Sequence, residues 1–115
     1  MIEKLAAATA LAAAFVVSPR DVGWGLAEDL KTYEVSIQNG HFSPAELHVP
    51  AGKPFFLEVS NGEGHVDEFE MSSPPLEKLV QPGAAGKLRV RPLANGRFPF
   101  FDDFHPQTTG AIVAE

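Results

Sequence analysis

Tyr33-Glu34-Val35-Ser36-Ile37-Gln38-Asn39-Gly40 is the stretch from which the fold is read. Apolar side chains at 33, 35 and 37 alternate with polar ones at 34, 36 and 38, the period of a half-buried strand, and Asn-Gly is a strong tight-turn signal. Glu46-Leu47-His48-Val49 alternates again, with His48 on the exposed side, before Pro50-Ala51-Gly52-Lys53-Pro54 breaks the ladder. Phe55 to Ser60 resumes with Phe55, Leu57 and Val59 on one face, and Asn61-Gly62-Glu63-Gly64 reads as a polar loop. Beyond it Phe69 and Met71 share the buried face of a short strand, while Glu68 and Glu70 share the other. Ser72 to Leu76 holds a Pro-Pro pair, and Gln81 to Gly86 is another turn. Lys87-Leu88-Arg89-Val90-Arg91 then alternates with a wet face, and Arg97 to Phe101 and Gly110 to Ala114 close the chain.

No stretch after Glu28 sustains helical periodicity. About seven strands at short, regular spacing predict an all-β chain, an antiparallel two-sheet sandwich or barrel. In a chain this short, the nine Phe must supply much of the core. Residues 1–27 stand apart: Leu5 to Val17 is an apolar run of signal-peptide length, too short to span a membrane, and Gly25-Leu26-Ala27 places small residues before a cut at Glu28. The expected organisation is a signal peptide over 1–27 and one domain over 28–115, which places the protein in the periplasm.

The chain has 115 residues and no Cys, with 9 Lys+Arg against 15 Asp+Glu and a net charge of −6. Lacking Cys, it cannot form disulfides, zinc–thiolate or iron–sulfur sites, thiol nucleophiles or the thiolate-ligated blue-copper centre. The acidic balance argues against nucleic acid, which needs a basic face, and favours cations as partners. The serines lack a nucleophile-elbow pattern, and the few loop glycines do not make a phosphate cradle.

Donor residues concentrate in two segments, Gly64-His65-Val66-Asp67-Glu68-Phe69-Glu70 and Phe101-Asp102-Asp103-Phe104-His105-Pro106. Brought to one pole of a sandwich, they offer three or four oxygen and nitrogen ligands to a divalent ion, whose charge offsets the mutual repulsion of the carboxylates. The plain alternative is that Glu68 and Glu70 are the solvated face of an edge strand and that Asp102-Asp103 form a turn. His41, after the Asn39-Gly40 turn, lies within reach of the same pole.

From about Tyr33 to Glu115 the sequence resembles the small cupredoxin-like periplasmic component of bacterial ferrous-iron permease systems. The resemblance is carried by "NGHFSPAELHVPAGKPFFLEVSN", "DEFE", "EKLVQPG" and "FPFFDDFHPQTTGAIVA". It implies a Greek-key sandwich of the cupredoxin type. Where electron-transfer cupredoxins carry Cys, His and Met in the C-terminal loop, this chain has Asp102, His105 and a position near Thr108, and the upstream ligand His falls at Asp67 or Glu68. The resemblance therefore implies a hard site of Asp67 or Glu68, Asp102 and His105, with His65, Glu70, Asp103 and His41 as second-rank ligands or relay groups. Such a site takes iron or Cu(II) rather than Cu(I).

The implied function is iron uptake: binding iron or copper and assisting ferrous-iron oxidation, a ferroxidase-type role, or delivery to a membrane permease. Oxidation would need copper, oxygen or a partner protein as electron acceptor. Two other readings stay open, a redox-silent Cu(II) or Fe(III) carrier and a metal-free docking module whose acidic face meets the permease. An exposed edge strand also leaves room for a weak homodimer.

Overall fold

A computed structural model of the protein describes residues 29–115, so the signal-peptide reading of residues 1–27 lies outside the described residues. Nine strands form: β1 Thr32–Gln38, β2 His41–Ser43, β3 Glu46–Val49, β4 Phe55–Asn61, β5 Asp67–Ser72, β6 Pro75–Val80, β7 Ala85–Val90, β8 Gly96–Asp102 and β9 His105–Ala114. No helix occurs among the described residues. One sheet runs β3-β9-β8-β5-β6 and the other β2-β1-β4-β7.

The two-sheet all-β architecture is the expected one, but the sheets are mixed rather than purely antiparallel. β1 pairs with β4 in parallel, and β9 pairs with β3 in parallel. The cause lies in residues 39–54. Parallel neighbours need a long crossover, and this segment supplies it by pairing β2 with β1 and then carrying β3 across to the other sheet. β2 is only 3 residues long, too short to show alternation, and β6 opens on Pro75, a residue tolerated at the first position of an edge strand.

Alternation fills the core as the sequence predicts. Val35 and Ile37, Leu57 and Val59, and Phe69 and Met71 all face inward and are buried. At the centre of this layer Phe42 stands edge-on to Phe100 at 4.8 Å and to Phe69 at 6.3 Å, and Phe69 tilts against Phe100 at 5.0 Å. Such pairs add stabilisation beyond the area they bury.

Phe100 pairs with Gly110 across β8 and β9. A Cβ at 110 would fall 2.5 Å from the Phe100 ring and 2.8 Å from the Ala45 carbonyl oxygen, so the ring occupies the space that only glycine leaves. Gly110→Ala is expected to cost about 1–3 kcal/mol, the usual penalty of overpacking a tight core. Gly64, with nothing within 4 Å of its Cβ direction, is the control: when both variants are compared by urea unfolding, Gly64→Ala should be close to neutral. Equal effects at the two positions would contradict this packing account.

Candidate metal centre

Backbone parity decides which donors enter the site. Asp67 opens β5 two residues before Phe69, and Asp102 ends β8 two residues after Phe100, so both carboxyls point inward where the aromatic layer stops. Asp67 is 0% exposed and Asp102 1%. His105 opens β9 and pairs in register with Asp102. The loop between β4 and β5 supplies Glu63 and His65, and Asn61 fixes it. Buried at the end of β4, Asn61 donates from Nδ2 to the carbonyls of His65 at 2.8 Å and Val80 at 2.9 Å, and its Oδ1 accepts from the Glu63 amide at 2.7 Å.

The two buried aspartates are not equivalent. Asp102 Oδ1 accepts from the Glu68 amide at 3.0 Å and the Phe104 amide at 3.1 Å, while Oδ2 lies 3.1 Å from His105 Nδ1. Asp67 accepts no hydrogen bond at either oxygen, although both are fully buried. Its Oδ1 lies 3.3 Å from His65 Nδ1 and 3.6 Å from His105 Nδ1, and the two imidazole rings are 4.7 Å apart. Burial, followed by the neighbouring Asp102, pushes the Asp67 carboxyl up to about 7. For Asp102, burial also acts upward, but the neighbouring Asp67 and the hydrogen bonds from Glu68, His105 and Phe104 outweigh it and hold the group below its usual range. His65 is raised by its contact with the Val66 carbonyl and by the carboxylates around it.

These distances suit a cation. Two donors bound at ordinary lengths to one tetrahedral ion are about 3.3–3.6 Å apart, the edge of the coordination polyhedron. The separations of 3.3 and 3.6 Å from Asp67 Oδ1 to the Nδ1 atoms of His65 and His105 match that edge, while the 3.1 Å between His105 and Asp102 is a hydrogen-bond distance. A buried carboxylate with no donor is also costly unless a positive charge meets it. The donor set of imidazole and carboxylate fits a hard or borderline divalent ion, and without Cys it does not fit the thiolate-ligated copper centre.

The other predicted residues lie elsewhere. Glu68, the alternative to Asp67, points to the outer face of the sheet, because adjacent strand residues alternate sides. There it groups with Glu70 and Asp103. Its carboxyl is pushed up to about 7, first by a hydrogen bond shared with Glu77 and then by burial and the surrounding carboxylates. His41 is exposed on β2 opposite Gln38 and joins no donor cluster among the described residues. Thr108 is buried and gives its hydroxyl to the Gly40 carbonyl at 3.0 Å. Glu63 is the donor that reading the sequence as a polar loop missed. The available signal was Asn61, an amide on the inward parity of Phe55, Leu57 and Val59, which must draw backbone partners over itself.

A β-sandwich with a buried nitrogen-and-oxygen donor cluster at one pole defines the class as a cupredoxin-type domain. The chain belongs to the cupredoxin-like domain family, whose model matches residues 6–114. It is 26% identical over 86 residues to an uncharacterised protein of Rickettsia prowazekii (strain Madrid E), a match covering 75% of this chain and 69% of that protein. Among solved structures it is similar to reduced auracyanin from Roseiflexus castenholzii, with TM-score 0.63 and 13% identity over 74% of this chain and 97% of that one. It is also similar to an amicyanin variant in its Cu(I) form, with TM-score 0.61 and 20% identity over 77% of this chain and 88% of that one.

The raised Asp67 carboxyl has a consequence for stability. Between about 4 and about 7 the native protein holds a proton that the unfolded chain has lost, so without metal, stability falls as pH rises through that window. Asp102 acts oppositely: its lowered pKa adds stability above its usual range that is lost only in stronger acid. Asp67→Asn is therefore expected to raise the melting temperature in chelator at pH 8 more than at pH 5. Melting curves displaced equally at both pH values would contradict this assignment.

Proposed function

We propose that this chain is a metal-binding cupredoxin-like protein that holds iron or Cu(II) through His65, Asp67, Asp102 and His105, and that it serves bacterial iron uptake from the periplasm. The observation that carries the reading is Asp67, fully buried and accepting no hydrogen bond, at coordination-edge distances from two imidazoles. Hard donors favour Fe(III) over Fe(II) and make bound ferrous ion easier to oxidise, while a partly exposed His105 leaves the ion a route out toward a membrane permease. The motifs "DEFE" and "EKLVQPG" support the iron-uptake context by resemblance. A shuttle of the thiolate blue-copper kind is not part of this reading, since the chain has no Cys.

Calorimetric titration of the full chain with Cu(II), Mn(II) and anaerobic Fe(II) tests it. Binding is expected to weaken at least tenfold in His105→Ala and in Asp102→Asn, because even partners outside the coordination shell cost about 10–100-fold when lost. Glu68→Gln, on the outer face, should leave it unchanged. An intact chain that binds none of these ions, or variants that bind as well as it does, would overturn the proposal. Oxygen uptake with excess Fe(II) then separates the roles: catalytic consumption marks an oxidase, and a halt at stoichiometric binding marks a carrier.

A further inference from the structure

We infer that Asp67 is a bridging carboxylate and that the pole holds a second cation position, which Asp67 shares with Glu63 and Asp102. The inference rests on the metal-binding reading above and deepens it. Two donor groups meet here, His65 with Asp67 and His105, and Glu63 with Asp67 and Asp102, each with its ligand atoms all within 4.8 Å of one another. Asp67 is the member they share. Both of its oxygens are buried and neither accepts a hydrogen bond, so one ion at Oδ1, beside the two imidazoles, would leave Oδ2 buried with no partner.

Glu63 is the outermost member of that second group. Its side chain is only 10% exposed, and its Oε2 is held by the Gly40 amide at 2.6 Å. Its Oε1 pairs with His65 Nε2 at 3.4 Å and carries no backbone bond. The two positions differ in chemistry. The two imidazoles suit Cu(II) or a borderline ion, and the carboxylates of Glu63, Asp67 and Asp102 suit a harder ion such as Mn(II) or iron.

The test is the stoichiometry and spin count of the full chain loaded with Cu(II) alone. The expected result is two ions per chain, with an integrated electron paramagnetic resonance signal below two spins because the shared carboxylate couples them. Glu63→Gln keeps an acceptor for the Gly40 amide and so preserves the loop; it should bind one ion, at full spin count and with nitrogen hyperfine structure retained. Asp67→Asn should abolish the coupling. One ion per chain, unaffected by Glu63→Gln, would overturn the second position and leave the metal-binding reading intact. A second ion lost in Glu68→Gln rather than Glu63→Gln would also overturn it, by assigning that ion to the outer face. Binding of no ion would remove both readings.

Discussion

Asp67 and Asp102 sit side by side where the inner faces of β5 and β8 run out of hydrophobic side chains, and the rest of the pole is arranged around the cost of keeping them there. Burial raises the energy of each charged carboxylate, and proximity raises it further. Asp102 is relieved by two backbone amides and an imidazole. Asp67 is not, and without a cation its relief is to take up a proton, which is why its carboxyl stands near 7 rather than in the usual range. A cation provides the same relief at higher pH, and the flanking imidazoles are already at the separations that shared coordination requires.

The scaffold makes this placement rigid. Asp67 and Asp102 are continuations of the inward rows that carry Phe69 and Phe100, so the aromatic packing beneath fixes where the carboxyls point. Gly110 leaves the space beside β9 that the Phe100 ring occupies, and β9 in turn carries His105. The loop with Glu63 and His65 is held from inside by Asn61 and from outside by the Gly40 amide. Donors from three strands and one loop thus converge through ordinary sheet geometry, and the pole is built of nitrogen and oxygen donors without Cys.

Much of this was legible in the residues. Period-two alternation at Tyr33–Gln38, Phe55–Ser60 and Lys87–Arg91 marked the all-β class, and the donor-rich segments around Asp67 and Asp102 marked the pole. Parity could also have separated Asp67 from Glu68, because placing Phe69 and Met71 inward already puts Asp67 on their side and Glu68 with Glu70 on the other. The parallel pairings were not legible, since alternation gives the face of a strand and not the direction of its neighbour. β2 was too short to show a pattern, and β6 was masked by the Pro74-Pro75 pair. Glu63 was hidden because a Gly-flanked carboxylate looks like any solvated loop residue until a buried Asn is seen to draw the loop over the site.

X-ray absorption at the metal edge of the Cu(II)-loaded full chain tests the central claim most directly. The expected first shell is nitrogen and oxygen only, at about 2.0–2.2 Å, with outer-shell scattering from imidazole that diminishes in His105→Ala. A shell of oxygen without imidazole scattering, unchanged in that variant, would place the ion on the outer carboxylate face and contradict the account.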